Sequence, residues 1–165
     1  MTNSGPLNSL LFVCLGNICR SPAAENVMFK LLQDAGLTGR VSCDSAGTSN
    51  EHAGQPPDRR MRQAGMNRGL PMSGIARQVT AADLDVFDLI VAMDDANYAA
   101  LQRLAGATNR HKIQRFCSYL QQHQDTEVPD PWYGGAAGFE HVLDLLEDGC
   151  TQLLAQIQRS HQNGT

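Results

Sequence analysis

Long apolar runs and a signal sequence are both missing from this chain of 165 residues. No run approaches the roughly 18 apolar residues that a transmembrane helix needs, so we predict no contact with a membrane. The first eight residues contain no basic segment followed by an apolar stretch. We therefore expect a disordered leader over 1–8 rather than a signal peptide.

An excess of positive charge is missing as well. Lys and Arg number 13 against 17 Asp and Glu, giving a formal net charge of −4, which argues against nonspecific binding to nucleic acid. Apolar residues make up 42% of the chain and charged residues 18%, as is ordinary for a globular protein. The length suits one domain, which we place at 9–160, followed by a polar tail over 161–165.

Paired cysteines are the third absence. The cysteines are odd in number and include no Cys-x2-Cys pair; they are Cys14, Cys19, Cys43, Cys117 and Cys150. This pattern disfavours both a disulfide framework and a zinc site. We therefore expect a cytoplasmic protein in a reducing compartment, with no bound metal.

The chain does contain one dense motif near its start. Residues 10–13 form a short run of apolar residues, half of them β-branched or aromatic, which predicts a buried strand. Pro22 and the apolar spacing after it predict a helix. Residues 14–21, the 14–21 loop, then join a strand end to a helix N-terminus. Free backbone N–H groups and the helix dipole attract anions there.

The side chains of the 14–21 loop suit chemistry on phosphorus. Cys14 lies in the positive field, which favours its nucleophilic thiolate form. Gly16 and Asn17 let the backbone turn, and Arg20 offers two donors to a tetrahedral oxyanion. Ser21 can donate a hydrogen bond to the sulfur. An inert buried thiol would not explain these neighbours, so the loop predicts nucleophilic attack by Cys14 on phosphorus.

Strands and helices alternate along the rest of the chain. Further strands are predicted over 41–46, 89–93 and 111–116, and helices over 59–64, 80–86, 94–104 and 139–159. Gly65 is expected to end its helix, and the arginines of 59–62 to form a solvated face. This order predicts an α/β fold of three α/β/α layers around a four-stranded parallel sheet, flavodoxin-like in type. The 14–21 loop, Ser45 and Asp94 all fall at predicted strand ends, where such sheets bind ligands.

The spacing Cys-x5-Arg-Ser, and the longer string Val-Cys-Leu-Gly-Asn-Ile-Cys-Arg-Ser-Pro, resemble the low-molecular-weight protein tyrosine phosphatases. Further similar stretches lie at 44–48, 57–60, 76–79, 93–97 and 130–134. The resemblance covers 9–158 and implies that family's fold. It also implies hydrolysis of phosphotyrosine proteins or small aryl phosphates through a cysteinyl-phosphate intermediate, without a cofactor, by a monomer or weak dimer.

The resemblance assigns roles to individual residues. Cys14 would be the nucleophile, Arg20 would hold phosphoryl oxygens, and Asp130 would act as general acid and then as general base. The phosphate-binding loop would further comprise Leu15, Gly16, Asn17, Ile18, Cys19 and Ser21. Ser45 would brace that loop, and Asp94 is expected to cap a helix and can also face the loop. The substrate cleft would be lined by Glu51, Trp132 and Tyr133.

Several of these residues have a plainer interpretation. Asp130 could be a turn residue before proline, although the following Trp-Tyr-Gly favours catalysis. Trp132 and Tyr133 could form a hydrophobic lid instead of an aromatic wall. Cys19 could form a reversible disulfide with Cys14, as the family suggests, or could simply be a small packed residue.

Two positions depart from the family. Many members carry a histidine that braces the loop through Asn17, but residues 71–75 contain none. We expect the loop's hydrogen-bond network to be completed differently, for example by water. Glu51 stands where some members carry an aromatic residue, and its charge should disfavour acidic peptides around the phosphotyrosine.

Three other functions are weighed against this one. Protein arginine phosphatases of the same family tend to have threonine at the position of Ile18, and isoleucine makes a more apolar pocket that suits a phenyl ring. A thioredoxin-coupled arsenate reductase needs two further cysteines close together, and none lies between Cys43 and Cys117. A catalytically inactive phosphate-binding module would not need both the nucleophile and Asp130.

Overall fold

The computed structural model describes residues 5–163, in which a four-stranded sheet lies between two layers of helices. The strands are β1 (Ser9–Cys14), β2 (Ser42–Gly47), β3 (Leu89–Ala92) and β4 (Ile113–Arg115). Every neighbouring pair is parallel, in the order β2-β1-β3-β4. The predicted α/β fold is confirmed. The fourth strand is shorter than predicted because 3-10 turns at 110–112 and 116–119 flank it.

Within residues 5–163, five α-helices cover the two faces of the sheet. They are α1 (Arg20–Asp34), α2 (Arg59–Asn67), α3 (Ala81–Val86), α4 (Asp95–Leu104) and α5 (Ala136–Asn163). Leu10 and Phe12 pack with α1, α2 and α5 on one face. Leu11 and Val13 pack with α3 and α4 on the other face. Because both faces of β1 are buried, its sequence is a continuous apolar run rather than an alternating one.

Gly65 lies within α2 and does not end it, contrary to the sequence prediction. A Cβ at Gly65 would lie 2.7 Å from the Leu70 carbonyl oxygen, so this glycine allows the returning chain to approach the helix closely. The reversal itself uses Gly69, whose φ of 73° favours glycine. Further on, the chain makes one isolated bridge to the sheet, between Gly47 and Gln78.

The chain segment before β1 is held against α5. The Leu7 N–H donates to Ser160 Oγ (3.0 Å), and the Leu7 carbonyl oxygen lies 3.0 Å from His161 Nε2. Leu7, which we placed in the leader, is therefore fixed by α5, and α5 continues into the expected tail. The parts of the leader and tail over 1–4 and 164–165 lie outside the described residues. Between residues 5 and 163, no helix has the length and hydrophobicity that crossing a bilayer requires.

Candidate active site

The 14–21 loop joins β1 to α1, and its residues surround the Cys14 sulfur. Asn17 has a φ of 57°, the left-handed conformation expected of this residue type. This turn brings the Asn17 N–H to 3.3 Å from Cys14 Sγ, while Ser21 Oγ lies 3.1 Å from the same sulfur. Cys14 is only 2% exposed, and its sulfur is adjacent to the start of α1.

Asn17 is the centre of a buried hydrogen-bond network behind the loop. Its Nδ2 donates to Ser21 Oγ (2.8 Å) and to Ser45 Oγ (2.9 Å), and its Oδ1 accepts from the Arg77 N–H (3.0 Å). The Ser45 hydroxyl in turn donates to Glu25 Oε1 at 2.6 Å. A carboxylate of α1 is therefore part of the network, which the sequence predicted to be completed without a histidine.

Glu25 is a site residue that the sequence analysis missed. It follows Ser21 by four residues, so both lie on the same face of α1, and that spacing was the available signal. Burial raises the pKa of Glu25, while the hydrogen bond from Ser45 acts in the opposite direction. Ser45, which donates to Glu25, was correctly expected near the end of β2.

Arg20 begins α1 and is almost completely buried. Its Nη1 donates to Asp94 Oδ2 (2.7 Å) and to the Val128 carbonyl oxygen (3.1 Å), while Nη2 lies 3.7 Å from Asp130 Oδ2. Burial acts to lower the pKa of Arg20, but Cys14, Asp94 and Asp130 raise it above its usual value. The guanidinium is held by these contacts, and within residues 5–163 neither Nε nor Nη2 donates a hydrogen bond.

Asp94 caps a helix and also faces the 14–21 loop, as expected. Its Oδ1 accepts from the Asn97 N–H and so caps α4, as predicted, while its Oδ2 binds Arg20. It supports the loop from behind and lies outside the pocket lining.

Asp130 lies in the loop between Gln121 and α5, opposite the 14–21 loop. Its Oδ1 accepts from the Trp132 N–H (3.0 Å), which caps a short 3-10 turn over Pro131–Tyr133. The side chain is 40% exposed. Asp130 therefore has the turn role that its local sequence suggests and also faces Arg20.

One cavity of about 250 Å³ collects the predicted catalytic and cleft residues. Its lining comprises Cys14, Leu15, Gly16, Ile18, Cys19, Arg20, Glu51, His52, Asp130, Trp132 and Tyr133. Trp132 forms part of one wall, whereas Tyr133 is 92% exposed and projects from the rim.

His52 is a second residue that the sequence analysis missed. Its ring lies 5.6 Å from the Trp132 ring, and its Nδ1 is 3.0 Å from Gln55 Oε1. A Cβ at Gly16 would lie 2.9 Å from His52 Cδ2, so the glycine leaves room for this ring. A loop histidine has no local sequence signal that would distinguish it.

The remaining cysteines are free thiols. Burial raises the pKa of Cys19, and the nearby charges of Asp58, Cys14 and Asp130 raise it further, so its thiol stays protonated. Burial also raises the pKa of Cys43 to about 12 and that of Cys117 to about 11. In the part of the chain that the structure describes, no group of three or more His, Cys, Asp or Glu side chains could hold a metal ion.

Comparison with known proteins gives one consistent result. Residues 9–163 match the family model described as low molecular weight phosphotyrosine protein phosphatase. A low molecular weight protein-tyrosine-phosphatase of Bacillus subtilis is 44% identical over 93% of this chain and 98% of its own. The human low molecular weight phosphotyrosine protein phosphatase is 44% identical over 88% and 93%. A crystal structure of a protein tyrosine phosphatase from Entamoeba histolytica superimposes with a TM-score of 0.91 at 46% identity, covering 93% of this chain and 99% of that one.

Proposed function

Since the chain belongs to the low molecular weight phosphotyrosine protein phosphatases, we propose that it hydrolyses phosphotyrosine in proteins, or small aryl phosphates, at the cavity around Cys14. The observation that carries this proposal is the placement of Cys14, Arg20 and Asp130 around one cavity. It contains a nucleophile, an oxyanion site and a proton donor, which are the groups needed to cleave a phosphate monoester.

The first step transfers the phosphoryl group to the enzyme. The Cys14 thiolate attacks phosphorus, the bond from phosphorus to the phenolic oxygen breaks, and Asp130 gives its carboxyl proton to that oxygen. Asp94 and Val128 occupy Nη1 of Arg20, which leaves Nε and Nη2 to bind the phosphoryl oxygens. The N–H groups at the start of α1 supply further donors to the developing charge.

The second step releases phosphate. Water attacks phosphorus, the carboxylate of Asp130 accepts a proton from that water, and the bond from sulfur to phosphorus breaks. Ser21 lies 3.1 Å from the departing sulfur, and its hydroxyl stabilises the thiolate as it leaves.

The cavity walls favour an aromatic substrate. Ile18 and Trp132 present apolar surface, which suits a phenyl ring better than a guanidinium group. Glu51 adds a carboxylate at the same cavity. Like charges repel, so acidic residues flanking the phosphotyrosine should weaken binding.

Cys19 is proposed as the partner of Cys14 in a reversible disulfide. After a peroxide oxidises Cys14 to a sulfenic acid, the Cys19 sulfur would attack it, forming the disulfide and releasing water. Because burial and nearby acidic groups raise the pKa of Cys19, this step should be slow near neutral pH. Such chemistry suits a reducing compartment, and we propose a cytoplasmic protein acting as a monomer or weak dimer.

The test is release of phosphate from matched phosphotyrosine, phosphoserine and phosphoarginine peptides, each with neutral or acidic flanking residues. We expect turnover of phosphotyrosine, faster with neutral flanks, and none with the Cys14→Ser variant. Faster release from phosphoarginine would assign the chain to the arginine phosphatases. Absence of turnover with every peptide under reducing conditions would show that the cavity binds phosphate without reacting.

A further inference from the structure

Arg60 holds the turn that follows Asp130. Its guanidinium carbon lies 5.1 Å from the centre of the Trp132 ring and 4.8 Å from that of the Phe139 ring. Its Nη1 donates to the Trp132 carbonyl oxygen at 3.0 Å. The arginine side chain is 42% exposed, in keeping with the solvated face that the sequence suggested, but it is also held by two rings and a backbone carbonyl group.

The other contacts of Arg60 lead to the 14–21 loop. Asp58 Oδ1 accepts from Nε of Arg60 and Oδ2 from Nη2, both at 3.3 Å. The Asp58 N–H donates to the carbonyl oxygen of Ile18 at 2.7 Å. Burial opposes ionisation of Asp58, but hydrogen bonds from Arg60 outweigh it and lower the pKa of that carboxyl. The first turn of α2 thus connects the loop that carries the nucleophile to the turn after Asp130.

The carboxyl group of Asp130 has little else to fix it. Its Oδ1 accepts from the Trp132 N–H, and its Oδ2 lies 3.7 Å from Arg20. The same Trp132 residue gives its carbonyl oxygen to Arg60. The direction of the carboxyl group therefore depends on a peptide backbone that Arg60 holds in place.

We propose that Arg60 is a positioning residue for the proton transfer, acting through Trp132 to aim Asp130 at the leaving oxygen. It does not contact the reacting atoms. The inference rests on the proposed function, in which Asp130 is the general acid. Displacing a general acid by about 1 Å is enough to slow the step that uses it by up to about a hundredfold.

Leaving groups of different basicity test the role of Arg60 directly. p-Nitrophenolate departs without a proton, whereas the phenolate of phosphotyrosine needs one. We expect Arg60→Ala to lower kcat/KM for a phosphotyrosine peptide about tenfold and for p-nitrophenyl phosphate less than about twofold. The inhibition constant of inorganic phosphate should not change, because the 14–21 loop stays intact.

Two further variants serve as controls. Arg59 is exposed and its side chain makes no hydrogen bond or ion pair within residues 5–163, so Arg59→Ala should match the wild type with both substrates. Arg60→Lys keeps the charge without the planar fork, and it should show the same substrate-dependent loss as Arg60→Ala. It provides the measurement if the alanine variant does not fold.

Asp130→Asn separates failure of this inference from failure of the proposed function. That variant should itself lose more activity with phosphotyrosine than with p-nitrophenyl phosphate, and if it does not, the general-acid assignment is wrong. If it does, and the Arg60 variants lose activity equally with both substrates, only the role of Arg60 is overturned. In the Asp130→Asn background, adding Arg60→Ala should cause no further substrate-dependent loss.

Discussion

Glu25 lies on the buried side of α1, where its carboxylate accepts the hydroxyl hydrogen of Ser45. Ser45 Oγ in turn accepts a hydrogen bond from Asn17 Nδ2, and the backbone N–H of Asn17 donates to the Cys14 sulfur. Burial raises the pKa of Glu25, so the ionised carboxylate is held at a cost to folding. A group retained at such a cost is expected to serve the site rather than stability.

Replacing Glu25 should therefore separate activity from stability. Glu25→Ala leaves the Ser45 hydroxyl without its acceptor and should lower kcat/KM about fivefold, which corresponds to the ~1 kcal/mol of one hydrogen bond. Glu25→Gln keeps an acceptor oxygen and should retain the wild-type kcat/KM. Phosphate release from one phosphotyrosine peptide measures both. Equal kinetics for Glu25→Ala and the wild type would exclude Glu25 from the network's function.

The wild type and the Glu25→Gln variant should also differ in the pH dependence of their stability. Folding raises the pKa of Glu25 above its ordinary value of 4.5, so the folded chain binds this proton more tightly than the unfolded chain does. The wild type therefore loses stability as the pH rises from 4.5 toward the raised pKa. The neutral Glu25→Gln side chain carries no such loss. Its free energy of unfolding should exceed that of the wild type at neutral pH and approach it in acid.

Residues that act locally were predictable and those that act through packing were not. Asn17, Ser21 and Arg20 belong to one contiguous motif whose turn and helix N-terminus follow from the sequence. His52 reaches the site because separate elements pack together, and no short spacing records that contact. Glu25 does lie four residues after Ser21, but its hydrogen bond with Ser45 depends on the packing of α1 beside β2. Arg60 is exposed, as predicted, but its contacts with Trp132 were missed for the same reason, since that residue lies far along the chain.

At the scale of helices and strands, the end of β2 determines the position of the 14–21 loop relative to the sheet. Gly47 pairs with Cys14 in the sheet register, and the Thr48 and Ser49 N–H groups donate to the carbonyl oxygens of Cys14 and Leu15. A Cβ at Gly47 would lie 2.6 Å from the Leu15 carbonyl oxygen. The strand and the loop can pass this closely because residue 47 has no side chain.

Gly47→Ala should consequently displace the loop. The added methyl group meets backbone atoms that cannot swing away, so we expect a loss of about 1–3 kcal/mol in the free energy of unfolding. A displacement of about 1 Å at the nucleophile should also lower kcat/KM by at least tenfold. Urea unfolding and peptide kinetics measure the two effects.

Gly39→Ala is the matched control for that substitution. A Cβ at Gly39 would have no atom within 4 Å, so this variant should keep both the stability and the kinetics of the wild type. If Gly47→Ala behaved in the same way, the close approach of β2 would not determine the position of the loop.

The difference between local signals and contacts made by packing also limits how well the sequence predicts where helices and strands end. The interior of β1 and the capping residue Asp94 were predicted correctly, because apolar runs and caps are local signals. Gly65 was not, because a glycine that ends a helix and one that admits a neighbouring chain look alike in the sequence. Only the close approach of Leu70 distinguishes them.

At the scale of the whole molecule, α5 fastens the segment that carries Asp130. The buried carboxylate of Asp148 accepts the N–H groups of Gln121, Gln122 and His123, and also lies 2.9 Å from His123 Nδ1. Downstream in the same segment, the carbonyl oxygen of Val128 binds Arg20. One helix therefore holds the loop that completes the active site as well as the segment before β1.

Asp148 should stabilise the fold only while it is ionised. Burial alone would raise its pKa, but the hydrogen bonds from His123 and from three backbone N–H groups lower it below the ordinary value of 3.8. Its contribution is therefore complete above that value and disappears as the pH falls through the lowered one. We expect Asp148→Asn to reduce the free energy of unfolding by about 2 kcal/mol at neutral pH, because an amide cannot replace a carboxylate that accepts so many donors.

The difference between Asp148→Asn and the wild type should shrink as the pH falls below the ordinary value, when the wild-type carboxylate begins to take up its proton. Asp144→Asn is the control on the same helix, because Asp144 makes only a surface ion pair with Arg68 and its loss should cost less than about 1 kcal/mol. Urea unfolding between neutral and acid pH measures both differences. If the loss in free energy of unfolding caused by Asp148→Asn stayed constant with pH, the packing of this side chain, and not its negative charge, would hold the loop against α5.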